Sequence, residues 1–185
     1  MDTNADIPNY VDNISLSNKL YRLAWQIISL FLFRPFVLPI FNFWRIFLLK
    51  LFGANIGSGC IVHASAYIPS PRNLTMGHKT AIGPEVRLHI GKTIIGNKVT
   101  ISQRTYLCSA THSIDSINTP FVAGTIIIKD FAWVAAESFI MSNITIGEGA
   151  IVGARAAVFK NVPGWTVVGG NPAKIIKQRI VYYRY

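Results

Sequence analysis

Acidic residues are scarce in this sequence. Eight Asp and Glu residues stand against eighteen Lys and Arg residues in a chain of 185, which gives a formal net charge of +10. Such a balance favours an anionic partner: a nucleic acid, an anionic membrane surface or a phosphorylated small molecule. Cysteine is scarcer still, because Cys60 and Cys108 are too few for a disulfide framework and lack the spacing of metal ligands. We therefore expect a reduced, cytoplasmic protein that binds no metal.

Charged residues of both signs make up only 14% of the chain, whereas apolar residues make up 51%. This composition excludes a disordered protein, and the length suffices to bury the core of one domain. The densest positive charge lies in residues 171–185, which hold four basic residues and no acidic one. A cluster this small does not make a nucleic-acid-binding face, but it can hold one or two phosphate groups. We therefore expect no nucleic acid partner.

No apolar run is long enough to span a membrane. Residues 20–52 are strongly apolar, but three arginines divide them into uncharged runs of at most eleven residues, and a span needs about 18–20. Two prolines also break the helix in the middle of this segment. The pattern predicts two short helices, over roughly residues 16–33 and 40–51, with Ser15 or Ser17 as the first N-cap.

Residues 1–52 have two alternative roles. The first is a helical cap that packs on the main domain. The second is a membrane anchor at the lipid interface, in which Trp25, Trp44 and the Phe and Leu side chains enter the interface while Arg and Lys side chains reach anionic headgroups. The second role implies peripheral contact of residues 20–52 with the inner face of the cytoplasmic membrane.

From Ile56 onward, apolar residues recur every six positions, which fits neither an α-helix nor an alternating strand. Apart from short resets of the frame, the aliphatic residues of the repeat are Ile56, Val62, Ile68, Leu74, Met76, Ile82, Leu88, Ile95, Ile101, Leu107, Ile128, Val134, Ile140, Ile146, Val152 and Val158. The residues four places later are mostly small or β-branched: Cys60, Ala66, Thr80, Val86, Val99, Thr105, Ala132, Ser138, Ile144, Ala150, Ala156 and Val162. This period is typical of a parallel β-helix, and about fifteen hexads predict about five three-sided coils with both sets of residues facing the core.

The repeat is interrupted between Leu107 and Ile126. Residues 108–127 are therefore expected to protrude from the prism wall as a loop, and long loops in compact domains are usually functional. This loop carries His112, whose ordinary pKa of roughly 6.5 lets it accept a proton at neutral pH. His112 is the candidate general base, with a solvated loop histidine as the alternative.

The other three histidines do not indicate a metal site. His63, His78 and His89 lack the five-residue spacing of a zinc-binding pair. They are interpreted as residues of the prism surface.

Several motifs resemble a known family. The hexads, ATHSID in the loop and VPGWTVVGGNPAKIIKQR near the C-terminus resemble the hexapeptide-repeat acyltransferases. LFRPF, WRIFLLKLFGA, ISQRTYLCSATHS, AWVAAESFI and GEGAIVGARAAVFKNVPGWTVV resemble its colanic acid biosynthesis acetyltransferase (WcaF-type) group. The resemblance covers about residues 17–179. It implies a left-handed β-helix, a homotrimer, and acetyl-CoA as acetyl donor in a cleft between neighbouring subunits.

The resemblance also assigns roles to residues. His112 matches the catalytic histidine of the family, and Ser113 stands where relatives carry Asp or Pro. Ser113 and Asp115 are predicted to contact the acceptor, with orientation of His112 or loop capping as alternatives for Asp115. Lys174, assisted by Lys177 and Arg179, resembles the contact to the 3′-phosphate of CoA, with a solubilising C-terminal helix as the alternative. The other predicted CoA contacts are Trp133, Ala135, Ala136, Gly153, Ala154, Arg155 and Pro172; for Trp133 a trimer interface is the alternative.

The predicted function is transfer of an acetyl group from acetyl-CoA to a sugar hydroxyl in exopolysaccharide or surface glycan synthesis, with a lipid-linked or nucleotide-linked acceptor. The alternatives are a xenobiotic or antibiotic O-acetyltransferase and a non-enzymatic β-helix scaffold. The predicted organisation is an N-terminal segment 1–52, a catalytic β-helix 53–170 and a basic tail 171–185.

Overall fold

The computed structural model describes residues 14–115, 117 and 119–182. It begins with helix α1 (Leu16–Ile28), which continues as a π-helical turn (Ser29–Phe33). A 3₁₀ turn (Pro39–Phe41) then leads into helix α2 (Asn42–Leu51). The Oγ atom of Ser15 accepts a hydrogen bond from a backbone N–H of the first turn, so Ser15 is the N-cap. Two short N-terminal helices were predicted, and they are confirmed.

Most strands contain only two residues, as expected when each forms one short side of a coil. In chain order, the strands are β1 (Asn55–Ile56), β2 (Ile61–Val62), β3 (Leu74–Met76), β4 (Ala81–Ile82), β5 (Arg87–Leu88), β6 (Lys92–Ile95), β7 (Thr100–Ile101), β8 (Tyr106–Leu107), β9 (Ala110–His112), β10 (Phe121–Ala123), β11 (Thr125–Ile128), β12 (Trp133–Val134), β13 (Phe139–Ile140), β14 (Thr145–Ile146), β15 (Ile151–Val152), β16 (Ala157–Val158), β17 (Thr166–Gly169) and β18 (Lys174–Gln178).

The strands stack into three parallel sheets, which are the three sides of a prism. Side A contains β1, β3, β6, β11 and β14; side B contains β2, β4, β7, β12, β15 and β17; side C contains β5, β8, β13 and β16. Parallel bridges from Tyr67 to Arg87 and from Ile146 to Val162 extend side C into the first coil and side A into the last. The chain thus makes five complete coils and begins a sixth, which confirms the predicted parallel β-helix.

The core of the prism contains the residues that the six-residue period selects. Each aliphatic residue of the repeat is at most 4% exposed, and each small or β-branched residue four places later is at most 6% exposed. Burial of one aliphatic side chain stabilises the fold by roughly 1.5–3 kcal/mol. Successive coils therefore supply each other with a continuous apolar core.

The N-terminal helices close the first end of this core. Trp25, Phe33, Leu48 and Leu49 are buried in the same cluster as the prism interior. The Arg45 side chain is also buried, where its guanidinium donates to the carbonyl oxygens of Val62, Phe36 and Leu38. No helix in the described part of the chain is long and apolar enough to cross a membrane.

The repeat is interrupted where the sequence predicted a protruding loop, but the segment is partly ordered as strands. β9 and β10 form an antiparallel hairpin in which Phe121 lies opposite His112. The chain re-enters the prism at Thr125, where β11 begins. The hairpin protrudes from the corner between sides C and A, here called corner CA.

The C-terminal segment is a strand and not the helix that was considered as an alternative. β18 pairs antiparallel with β17, with Lys174 opposite Gly169. Beyond it, the Arg179 guanidinium donates to the carbonyl oxygens of Phe131 (3.0 Å) and Gly149 (2.8 Å). These bonds fasten the end of the basic tail to the prism.

Candidate active site

The protruding hairpin fixes the orientation of His112. Its Nδ1 atom lies 2.7 Å from the carbonyl oxygen of Thr119. Because a carbonyl oxygen can only accept, Nδ1 carries the hydrogen, and Nε2 of the neutral ring keeps its lone pair. The ring of Phe121 packs edge-on against the imidazole, with centroids 5.9 Å apart. His112 is exposed, so Nε2 of this residue can accept a proton from a bound molecule.

His89 lies beside this hairpin, a position that its interpretation as a prism-surface residue did not anticipate. Its ring is 6.2 Å from that of Phe121 and 6.3 Å from that of Tyr106. Its Nδ1 atom is buried and has no hydrogen-bond partner in the part of the chain that the structure describes. Burial lowers the pKa of His89, and the nearby charges of Arg22 and His112 lower it further. His89 is therefore a neutral side chain whose buried Nδ1 atom is unpaired within the described part of the chain.

A signal for His89 was present in the sequence. It follows the in-frame residue Leu88, and the coil next to it ends in the loop that carries His112. His63 and His78, by contrast, contact the hydroxyl groups of Ser65 and Ser58 on the prism surface.

The acceptor residues predicted in the loop lie close to His112 in the chain. The backbone N–H of Asp115 faces the Ser113 hydroxyl at 3.4 Å. Among the described residues, the Asp115 carboxylate makes no hydrogen bond to His112, whose Nδ1 partner is Thr119. The hairpin backbone, and not Asp115, therefore orients the His112 ring. Contact of Ser113 and Asp115 with an acceptor remains a prediction.

The structure gathers most predicted CoA contacts at the corner between sides B and C, here called corner BC. The N–H of Arg155 donates to the carbonyl of Ala136 (2.9 Å), and the N–H of Gly153 donates to that of Val168 (2.8 Å). Lys174 lies one step further, at the start of β18. The predicted residues Ala135, Ala136, Gly153, Ala154, Arg155, Pro172 and Lys174 therefore follow one another along this corner.

Not every residue at corner BC is available to a ligand. Ala135 is buried, and its carbonyl accepts hydrogen bonds from the hydroxyls of Thr105 and Ser138. The Arg155 guanidinium lies 2.6 Å from the carboxylate of Glu137. This contact lowers the pKa of Glu137 and engages the charge of Arg155. Lys174 and Lys177 are exposed on β18.

Trp133 and Lys177 lie in one row on the outer surface of side B. Trp133 pairs with Ile151, Ile151 with Val167, and Val167 with Lys177. Neighbouring strands are about 4.8 Å apart, so three steps separate Trp133 from Lys177 by roughly 14 Å. The indole N–H of Trp133 donates to the Ser102 hydroxyl at 2.9 Å, which holds the half-exposed ring against the sheet.

Within one chain, His112 and the predicted CoA contacts do not come together. Within each coil, the chain passes corner BC before it forms the strand of side C. The hairpin is inserted after such a strand, at corner CA. Five residue-to-residue steps lead from Arg155 to Lys160 across this side, and five extended steps span roughly 17 Å. The base and the predicted cofactor contacts are therefore at opposite edges of side C.

In the part of the chain that the structure describes, no three His, Cys, Asp or Glu side chains are grouped so that they could hold a metal ion. At the hairpin, the exposed His112 and the neutral His89 both lie against Phe121. Such a pair can remove a proton from a hydroxyl group and hold the hydroxyl's carrier by hydrogen bonds.

Comparison with known proteins finds relatives that match over most of the chain. No family model matches the chain. WcaF of Escherichia coli K12, by its name a colanic acid biosynthesis acetyltransferase, is 41% identical over 138 residues, which covers 74% of this chain and 76% of WcaF.

Solved structures of similar fold cover nearly the whole chain. A hexapeptide-repeat acetyltransferase of Vibrio cholerae, solved with acetyl coenzyme A, superposes with a TM-score of 0.79 at 22% identity and covers 94% of both chains. A maltose O-acetyltransferase of Clostridium difficile superposes with a TM-score of 0.72 at 22% identity and covers 90% of both chains. The fold is thus the left-handed parallel β-helix, as predicted.

Proposed function

The chain belongs to the colanic acid biosynthesis acetyltransferases of the WcaF type, and from this membership we propose that it transfers an acetyl group from acetyl-CoA to a sugar hydroxyl in surface glycan synthesis. Two comparisons support the donor and the acceptor. The Vibrio cholerae structure contains acetyl coenzyme A, and the Clostridium difficile structure is of a maltose O-acetyltransferase. The observation that carries the proposal is the orientation of His112 by Thr119.

The geometry of His112 suits a general base. Its Nε2 atom takes the proton of the acceptor hydroxyl while the hydroxyl oxygen attacks the thioester carbonyl of acetyl-CoA. The Thr119 carbonyl accepts the Nδ1 hydrogen throughout and so stabilises the imidazolium that forms. The imidazolium then returns its proton to the departing CoA thiolate, which leaves as the thiol. A positioned base of this kind contributes roughly 10²–10⁴ to the rate.

We assign to His89 the role of holding the acceptor. Its ring contacts Phe121, which also packs against His112, and its Nδ1 atom has no hydrogen-bond partner among the described residues. Because the pKa of His89 is lowered, the ring stays neutral at pH 7. A neutral ring can donate or accept a hydrogen bond, as recognition of a hydroxyl group requires.

The basic tail suits the phosphates of CoA. Lys174 and Lys177 are exposed, and residues 171–182 contain no acidic side chain to neutralise them. At corner BC, the small residues Ala136, Gly153 and Ala154 leave the backbone accessible for the pantetheine arm. A lysine is a point charge suited to phosphate, and we assign the 3′-phosphate of CoA to Lys174.

The separation of His112 from corner BC supports a homotrimer. In such an assembly, the hairpin of one subunit faces corner BC of its neighbour, which completes the site that one chain leaves divided. Mixed trimers of His112→Ala and Lys174→Glu subunits test this arrangement at low acetyl-CoA concentration. Shared sites predict recovery of about a quarter of wild-type activity on random mixing. A site built within one chain predicts no recovery.

We also propose that the N-terminal helices contact an anionic membrane. Residues 14–52 contain no acidic residue. Large apolar side chains are exposed along this segment: Leu16, Leu20, Leu23, Ile27, Leu30, Phe31, Leu32, Val37, Leu38, Ile40, Phe43, Phe47 and Leu51. A patch of this size is typical of an interaction surface, and the exposed Lys50 provides positive charge for lipid headgroups.

Substitution at the surface tests this contact better than deletion, because deletion would also remove the buried Trp25 and Leu49. A triple Ile40→Ser, Phe43→Ser and Phe47→Ser variant should no longer float with vesicles that contain anionic phospholipid. Ile175 and Ile176 are also exposed but lie outside this segment. An Ile175→Ser and Ile176→Ser variant is therefore the control and should still float. Equal flotation of the triple variant and the wild type would refute membrane contact through this surface.

Two measurements distinguish the proposed sugar acetyltransferase from a scaffold and from an antibiotic acetyltransferase. A scaffold should show no rise in melting temperature with CoA, whereas an acetyltransferase should be stabilised by it. Release of the CoA thiol is then compared for sugar and antibiotic acceptors. Faster turnover of an antibiotic than of any sugar derivative would contradict the proposed acceptor.

A further inference from the structure

A cavity next to the candidate acceptor site contains an excess of arginine. Its volume is about 480 Å³, and its lining residues are Arg34, Ser65, Tyr67, Glu85, Arg87 and Arg104. The single carboxylate, that of Glu85, lies 3.2 Å from the guanidinium of Arg104. Among the residues that the structure describes, Arg34 and Arg87 form no ion pair. The cavity therefore retains two positive charges that the protein does not neutralise.

These two arginines come from different elements and meet at one aromatic ring. Arg34 follows the π-helical turn after α1, and Arg87 begins β5. Their guanidinium carbons lie 5.9 Å and 5.5 Å from the centroid of the Tyr67 ring. Both guanidinium groups line the same cavity, and an anion bound there would offset the charge of both. The planar guanidinium group binds phosphate oxygens in pairs, so a phosphate group fits this position.

Arg87 connects the arginine cavity to the neighbourhood of His89, which does not itself line the cavity. Arg87 and His89 are two residues apart on one extended segment, so their side chains leave the same face of side C roughly 7 Å apart. The ring of Phe121 contacts both His89 and His112. Close to His89, the Nε atom of Arg22 is buried and has no partner among the described residues. A sugar held at the two histidines would thus have its neighbouring substituent at the arginines.

On its other side, the arginine cavity adjoins an apolar groove. Arg34 and Tyr67 also line a second cavity of about 220 Å³, between α1 and the first coil. Its apolar lining comes from Trp25, Leu30, Ile68 and Pro69. A ligand with a phosphate group and an attached apolar or nucleoside moiety would fill both cavities.

We infer that Arg34 and Arg87 bind the phosphate or diphosphate of an acceptor whose sugar lies at His89 and His112. The substrate is therefore a sugar attached through phosphate, and not a free sugar. This inference rests on the proposed acetyltransferase function, because it places the acceptor sugar at the histidine pair. Beyond that function, the inference adds a binding site for the phosphate or diphosphate to which the acceptor sugar is attached.

Titration calorimetry with inorganic pyrophosphate tests the site. The full-length protein is saturated with CoA beforehand, so that the CoA site cannot take up the probe. Pyrophosphate should bind the wild type, and an Arg34→Gln and Arg87→Gln variant should bind at least about tenfold more weakly. Lys129→Gln removes one exposed positive charge elsewhere and should bind like the wild type. An Arg34→Lys and Arg87→Lys variant keeps the charge but not the paired geometry and should show intermediate affinity.

Two outcomes would overturn the inference: no pyrophosphate binding by the wild type, or wild-type affinity in the glutamine variant. Unchanged stabilisation of each variant by CoA shows that it is folded. If CoA itself does not stabilise the wild type, the proposed function fails. If CoA binds and pyrophosphate does not, only the arginine site fails.

Two further probes identify the source of the phosphate. Tighter binding of farnesyl diphosphate than of pyrophosphate supports a polyprenyl-linked acceptor, because the isoprenoid would occupy the apolar groove. Tighter binding of uridine diphosphate supports a nucleotide-linked one. In either case the glutamine variant should lose the binding of the preferred probe, and retention of that binding would contradict the site.

Discussion

The Nδ1 atom of His112 and the carbonyl oxygen of Thr119 lie 2.7 Å apart, across the turn of the protruding hairpin. A carboxylate at this position would attract the imidazole with a full negative charge, whereas a carbonyl offers a directional hydrogen bond and only the weaker attraction of a dipole. The position of the base therefore depends on how the hairpin folds. Contacts that shape the hairpin should affect catalysis even where they do not touch the substrate.

The first prediction concerns the base itself. His112→Ala should lower kcat at least about a hundredfold, because a positioned base contributes roughly 10²–10⁴ to the rate. The affinity for CoA should be nearly unchanged, since corner BC does not include His112. Steady-state kinetics and a CoA titration measure the two quantities. His63→Ala, on the prism surface, is the control, and a wild-type rate for His112→Ala would remove His112 from the mechanism.

The core could be predicted from the sequence because every coil requires the same pattern: an inward aliphatic residue, and a small or β-branched residue four places later. Val134 and Val152 lie in successive coils, and each pairs with its counterpart in the neighbouring coil. One period therefore specifies the strand, the side chain that faces inward and the stacking of the coils. The two N-terminal helices could be predicted for a similar reason, since helix periodicity, a capping serine and two prolines are all local.

The arrangement of the site could not be predicted in the same way. His89 and His112 are 23 residues apart, and they meet only because one coil stacks on the next and the hairpin folds back. The partner of His112 is a backbone carbonyl, which leaves no trace in the amino-acid sequence. The separation of corner BC from corner CA likewise depends on which side of the prism each hexad forms. Because the six-residue frame is interrupted several times, the side that a given hexad forms cannot be read from the sequence.

The second prediction concerns the 3′-phosphate of CoA. Lys174→Ala should raise the KM for acetyl-CoA by roughly tenfold, the scale of one lost charge-assisted contact. The same variant should change the kinetics with acetyl-dephospho-CoA much less, because that donor lacks the phosphate. Lys129→Ala removes an exposed lysine elsewhere and should leave both donors unaffected. Equal losses with the two donors would contradict the assignment of Lys174.

The third prediction concerns pH and His89. Burial and the charges of Arg22 and His112 lower the pKa of His89 in the folded protein, whereas an unfolded histidine has a pKa of about 6.5. As the pH falls below that value, His89 becomes protonated in the unfolded chain but stays neutral in the folded protein. The folded state therefore loses stability relative to the unfolded state.

The melting temperature of the wild type should therefore fall between pH 7.5 and pH 5.5. His89→Asn should show a smaller fall, and His63→Asn should follow the wild type. Thermal unfolding across this range provides the measurement. A pH dependence that is identical in wild type and His89→Asn would show that His89 is not held neutral by its surroundings.

The last prediction tests whether the base of the hairpin controls His112. The protruding segment closes where the N–H of Gly124 donates to the carbonyl of Ser109 at 2.8 Å. A Cβ atom at Gly91 would overlap the carbonyl oxygens of both residues. Gly91→Ala should therefore displace the two ends of the hairpin and cost about 1–3 kcal/mol of stability, as overpacking does.

The matched control is Gly164→Ala, where the nearest atom to the added methyl group would be the Glu148 carbonyl oxygen at 3.1 Å. Chemical denaturation gives the stability of both variants, and kcat at a temperature where both are folded gives their activity. Gly91→Ala should lose more activity than Gly164→Ala, because only Gly91 lies beneath the segment that positions His112. If Gly91→Ala loses stability but keeps its kcat, the orientation of His112 arises within the hairpin, from Thr119 and Phe121, and not from its attachment to the prism.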